Sequence, residues 1–231
     1  MARAGRGTRP ATDRSRVHDA LRCAARHLRS LVGLVTVLAL AACHPTPVYV
    51  GSGPKLATVG DSVTWYSIGP LKAALTGYSR WVWGITGTDL VQGRTSLVIP
   101  AVDTKPQVMV IELGINSVLR TWTPTASTAL DGILADVAKV PCVIWVTPDA
   151  LTVSNFDTWG PTTLHQRIAG WRALLAQRIA GHANVHQADW GAIEINHPEW
   201  YRSDGLHPNP AGEQALAAYV TQQVTSHCEP R

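Results

Sequence analysis

The chain has 231 residues, 45% of them hydrophobic, enough for one ordinary domain with a sizeable core plus an extension. Its formal net charge of +4 comes from the start: residues 1–42 carry eight Arg against Asp13 and Asp19, whereas residues 43–231 carry twelve Lys and Arg against fourteen Asp and Glu. A slightly acidic body excludes an electrostatic basis for nucleic-acid binding.

Residues 1–42 combine a basic, Arg- and Ala-rich segment with the apolar run Leu31–Leu40 and the small residues Ala41 and Ala42. That is the build of a secretion signal, too short to cross a bilayer as a mature helix. The tetrapeptide Leu40-Ala41-Ala42-Cys43 resembles the bacterial lipobox. The resemblance implies cleavage before Cys43, lipidation of that cysteine and anchoring of an exported protein to a membrane; an ordinary secretion signal is the alternative. Residues 1–30 form a long n-region, which a start codon placed too far upstream would explain. Residues 43–54, "CHPTPVYVGSGP", read as a Pro/Gly tether.

From Lys55 onward, apolar strand-like runs alternate with helical patterns. Strands are expected at Lys55 to Val59, Arg80 to Gly84, Val108 to Leu113, Cys142 to Thr147 and Asn184 to Gln187. Helical period appears in Leu130, Ile133, Leu134 and Val137, and again in Leu164, Ile168, Trp171 and Leu175. Asn209 and Pro210 suit the N-cap and first position of a last helix. Runs such as "VMVIEL" and "CVIWV" are apolar on both faces, as in buried parallel strands. The pattern predicts, over residues 55–231, a three-layer α/β/α domain with a parallel sheet of about five strands.

Cys142 and Cys228 are the cysteines of the body. Their expected places, at the start of a central strand and the end of the last helix, share one sheet edge and permit a disulfide in an oxidising compartment; two buried thiols are the alternative.

Sites in such sheets form at the carboxyl ends of strands. Four polar patches fall there: Gly60-Asp61-Ser62, the Gly87 loop, Gly114-Ile115-Asn116-Ser117, and Ser203 to Pro208. Their chemistry is complementary, because a serine hydroxyl needs a base, the base needs an orienting carboxylate, and a developing oxyanion needs fixed donors. Ser62, His207 and Asp204 fit the first three roles, with one turn presenting Asp204 to Nδ1 of His207 and leaving Nε2 for Ser62. The donors would be the N–H groups of Ser62 and Gly87 and the side-chain amide of Asn116. Asp61 reads as a hydrogen-bonder of its loop rather than as a catalytic acid.

These blocks, "GDS", the glycine of "ITGTD", "GIN" and "DGLHP", resemble the SGNH, or GDSL-type, esterase/lipase superfamily. The resemblance implies a flavodoxin-like sheet and a metal-independent serine esterase that needs no cofactor, with Ser62 as nucleophile, His207 as base, Asp204 as orienter and Gly87 and Asn116 as oxyanion donors. The family commonly has Asp where this chain has Ser117, and Gly84 stands close enough to Gly87 to be the alternative glycine. Acyl transfer to a sugar hydroxyl, and a surface-binding lipoprotein without activity, are the other functions considered. His182, His186 and Asp189 straddle an expected helix end and strand start, a poor geometry for a metal. Trp65, Trp122, Trp159 and Trp200 are candidates either to line an acyl or sugar pocket or to cover small cores under loops.

Overall fold

The computed structural model describes residues 47–120, 122–151 and 161–228; the leader, Cys43 and Trp159 lie outside the described residues. Strands β1 (Lys55–Gly60), β2 (Ser79–Gly84), β3 (Val108–Glu112), β4 (Cys142–Val146) and β5 (Val185–Ala188) form one sheet in the order β2-β1-β3-β4-β5. Every pairing is parallel. The expected strands match the observed ones to within one residue at each end.

The helices are α1 (Ser62–Tyr66), α2 (Ile68–Ala74), α3 (Leu90–Gly93), α4 (Ile99–Asp103), α5 (Ile115–Arg120), α6 (Pro124–Asp136), α7 (Pro161–Ile179), α8 (Gly191–Glu194) and α9 (Pro210–Cys228). A π-helical turn at Arg94–Val98 joins α3 to α4. Strand residues alternate between two cores. Ala57, Val59, Met109, Ile111, Val143 and Trp145 meet Leu97, Leu130, Ile133, Ile168 and Leu175 on one face. Leu56, Val110, Ile144 and Val146 meet Val63, Leu71, Leu216 and Val220 on the other. Each such buried aliphatic side chain contributes about 1.5–3 kcal/mol relative to exposure, so both faces of every central strand resist exchange with solvent.

Local chemistry sets the helix starts. Thr123 Oγ1 accepts the Ala126 N–H at 3.1 Å ahead of Pro124. Asn209 Oδ1 accepts from Ala211 and Gly212 at 3.0 and 3.1 Å ahead of Pro210. A disulfide joins Cys142, the first residue of β4, to Cys228, the last of α9, with Cα atoms 5.5 Å apart.

The order of the sheet places the site. The chain moves from β1 outward to β2, then returns to the other side of β1 for β3, so the switch point lies between β1 and β3. Ser62 leaves the end of β1 and Asn116 follows the end of β3, immediately beside it.

Candidate active site

Ser62 is the first residue of α1, and Asp61 is its N-cap, accepting the Val63 N–H at 3.0 Å. Asp61 N–H in turn donates to the Glu112 carbonyl at 3.1 Å, tying the turn to β3. The turn can lie this close to β2 because residue 84 has no side chain: a Cβ there would stand 2.5 Å from Trp65 N and 2.7 Å from Asp61 O. Gly84, the last residue of β2, is thus a packing residue beneath the turn, and Gly87, the expected donor, follows in the loop after it.

The last patch supplies the partners. His207 Nε2 and Ser62 Oγ are 2.8 Å apart, and His207 Nδ1 and Asp204 Oδ2 are 2.8 Å apart. Asp204 Oδ1 also accepts the N–H groups of Leu206 and His207, at 3.0 and 2.9 Å, so one carboxylate both shapes the turn and faces the ring. Burial opposes ionisation of Asp204, but the hydrogen bond from the His207 ring and those from the two backbone N–H groups outweigh it, holding the carboxyl below its ordinary range. Arg202 braces this segment: its Nε donates to the Pro208 carbonyl, its Nη2 to Glu213, and its guanidinium lies 4.1 Å from the Tyr66 ring centre. Tyr66 in turn stands 5.1 Å from the His207 ring. Arg202 and Tyr66 carried no motif and were not among the expected site residues.

Of the remaining expected residues, Asn116 is tied to the residue before Ser62 and Gly87 to Arg120. Asn116 Nδ2 donates to Asp61 Oδ2 at 2.8 Å. An amide has two N–H groups, so this bond fixes the direction of the second. Gly87 O accepts from Arg120 Nη2 at 2.9 Å, and Arg120 also pairs with Asp89, linking the Gly87 loop to the helix that begins beside Asn116. Ser117, at the place where Asp is common, accepts the Leu90 N–H at 3.0 Å and so anchors the start of α3. Gly114 has φ 128°, and its α-carbon lies against the Trp171 ring so tightly that a Cβ would enter the ring.

Glu112 is the one charged residue of the apolar strand β3 and belongs to no motif. Its Oε2 accepts from Thr64 N and Thr64 Oγ1, both at 3.1 Å, beneath the helix that carries Ser62. Burial pushes Asp61 up to about 6, and burial together with the adjacent Asp61 charge pushes Glu112 well above the carboxylate range.

Away from this centre, His186 stacks on His227 at 4.6 Å and Asp189 pairs with Arg172, so each has its own partner. Trp200 stacks on Trp190 at 5.5 Å and Trp122 packs on Trp171 at 5.4 Å. The second pair, with Val118, Arg167 and Leu174, lines a cavity of about 350 Å³. Trp65, three residues after Ser62 on α1, is 45% exposed.

Chemically, the arrangement can move a proton from Ser62 Oγ to His207 Nε2 while a fixed carboxylate faces the other side of the ring. Known proteins resemble parts of this chain. The chain is 25% identical over 123 residues to an arylesterase of Vibrio mimicus, covering 53% of this chain and 58% of that protein. It is 32% identical over 54 residues to an O-acetyltransferase of Staphylococcus aureus, covering 23% of this chain and 9% of that protein. The chain thus spans less than two thirds of either relative.

Among solved structures, a catalytic mutant of the acetylxylan esterase Axe2 from Geobacillus stearothermophilus superposes with a TM-score of 0.60 at 19% identity, covering 76% of this chain and 95% of that one. An α/β hydrolase enzyme from the Lake Arreo metagenome gives the same TM-score at 19% identity, covering 78% and 99%. These likenesses show that the three-layer fold is shared with both proteins. The model of the GDSL-like lipase/acylhydrolase family matches residues 57–215, a span that takes in all four strand-end patches, and the chain belongs to that family of carboxylic ester hydrolases.

Proposed function

We propose that this protein is an exported serine esterase acting through Ser62, His207 and Asp204. The observation that carries the reading is the continuous relay from Ser62 Oγ through the His207 ring to Asp204, with 2.8 Å at each step. Ser62 Oγ attacks the ester carbonyl as its proton passes to His207 Nε2, and Asp204 stabilises the imidazolium that forms. The oxyanion is held by the N–H groups of Ser62 and Gly87 and the Asn116 amide, whose combined field is the largest lever on the barrier. The alcohol leaves with the proton from His207, and water, deprotonated by the same ring, discharges the acyl-enzyme. No cofactor enters these steps.

Short sequence likeness to O-acetyltransferases supports a second reading, in which a sugar hydroxyl replaces water in the last step. Hydrolysis of p-nitrophenyl esters from acetyl to long acyl, with and without a sugar acceptor, separates the two and fixes the acyl length. Loss of that activity in Ser62→Ala is expected; unchanged activity refutes the nucleophile. The leader over residues 1–42 and the Leu40–Cys43 sequence support export and lipid anchoring, with the tether 43–54 holding a domain over 55–231. Cys43→Ala is expected to release the protein from membranes, and retention in the membrane fraction overturns the anchor.

A further inference from the structure

Beneath the nucleophile lies a pair of carboxyls for which the esterase mechanism has no direct use. Asp61 is wholly buried and Glu112 is 2% exposed; the Asp61 N–H donates to the Glu112 carbonyl at 3.1 Å, and the Asp61 charge bears on the Glu112 carboxyl. Counting donors assigns the protons. Both oxygens of Asp61 are acceptors, one for Val63 N–H and one for Asn116 Nδ2. Glu112 Oε2 is an acceptor twice over, for the N–H and the hydroxyl of Thr64. Glu112 Oε1 remains, buried and faced by no donor. A carboxylate oxygen left so would incur a full desolvation cost, and two adjacent buried carboxylates would repel each other. A single proton on Oε1 removes both penalties, because it turns the orphan acceptor into a donor toward Asp61.

We infer that Glu112 is a neutral acid that donates its proton as a hydrogen bond to Asp61, and that Asp61, kept by it as an acceptor-only carboxylate, positions the Asn116 amide for the oxyanion. Both are positioning residues. Asp61 aims one Asn116 N–H and thereby the other; Glu112 fixes the state of Asp61 and, through Thr64, the height of α1. The directions of both titrations agree: each carboxyl is raised by burial, and Glu112 more so because the Asp61 charge bears on it, so the shared proton rests on Glu112. The charge of His207 also favours the anionic form of Asp61. The inference rests on Asn116 acting as an oxyanion donor in the proposed esterase.

The test is a double-mutant cycle on the full chain with p-nitrophenyl acetate. Asn116→Ala is expected to lower kcat by roughly 100-fold or more, as loss of one oxyanion donor does, with KM little changed. Asp61→Asn, which can no longer accept on both sides, is expected to lower kcat at least about tenfold, and the double variant to be no slower than Asn116→Ala alone, within about threefold. Glu112→Gln keeps a neutral donor of the same shape, and is expected to recover most of the kcat lost in Glu112→Ala. Multiplying losses in the cycle, or Glu112→Gln as impaired as Glu112→Ala, overturns the inference while leaving wild-type esterase activity intact; inactivity of the wild type would instead refute the function itself. An infrared difference spectrum between wild type and Glu112→Gln at pH 7 reads the proton without catalysis. A protonated-carboxyl band lost with the substitution supports the assignment, and a lost carboxylate band refutes it even if the Asp61 variants fail to fold.

Discussion

Removing the Cys142–Cys228 disulfide is expected to lower stability substantially while leaving the site intact. The bond closes a loop with a sequence separation of 86. In the chain-entropy treatment, such a loop restricts the unfolded ensemble by about 4–5 kcal/mol. For a domain of this size that corresponds to a fall in Tm of about 8–20 °C, at roughly 2–4 °C per kcal/mol. Cys142 begins β4, whereas Ser62 follows the end of β1, so the bond and the proposed chemistry occupy opposite ends of a parallel sheet. Urea unfolding of the wild type and of the variant carrying Cys142→Ala and Cys228→Ala measures the difference, and ester hydrolysis well below the transition measures the site. The variant should unfold at a lower urea concentration, with a steeper slope because its unfolded chain is more expanded, and keep its kcat. An unchanged midpoint refutes the loop-entropy argument; a lost kcat in a folded variant refutes the independence of the two sheet ends.

Two further expectations come from buried groups. Glu194 on α8 accepts the Asp149 N–H, and burial pushes it up to about 8 from an ordinary 4.5. The folded state therefore keeps a proton that the unfolded chain releases, and stability falls as pH rises from about 4.5 to about 8, by a few kcal/mol at most. Glu194→Gln should flatten the change in urea midpoint between pH 5 and pH 8, and an unaltered slope would show that Glu194 is not the group responsible. Gly114→Ala meets both a left-handed φ and the Trp171 ring, each costing about 1–3 kcal/mol. A clear drop in Tm is expected, together with a lower kcat because Asn116 follows two residues later; a wild-type Tm would mean that the ring yields freely.

What could be read without coordinates was what repeats or caps. Strands apolar on both faces, the stripe of Leu164, Ile168, Trp171 and Leu175, and the Asn209-Pro210 start are local signals, and all of them lie where expected. The four patches could be brought together in advance because a parallel sheet gathers its strand ends, whatever their separation in sequence. Glu112 escaped for the opposite reason. One charged residue in an apolar strand carries no period, and its partners Asp61 and Thr64 lie 51 and 48 positions away. The role of Ser117 was similarly hidden, since its partner is the backbone of Leu90 and a backbone N–H leaves no mark in a sequence. Tryptophan was legible only as an excess: Trp200 closes a stack with Trp190, Trp122 lines a cavity and Trp65 stays exposed, three fates that composition does not distinguish.

The relay itself is half local and half remote. Asp204 and His207 meet within one turn, three positions apart, whereas His207 and Ser62 meet across 145. A single loop can therefore preassemble Asp204 and His207 early in folding, but Ser62 joins them only when the segment before α9 docks against the end of β1. Long-range closure of this kind is the slow part of folding a parallel sheet. Regained turnover after refolding would thus time the final closure of the chain rather than the appearance of its helices.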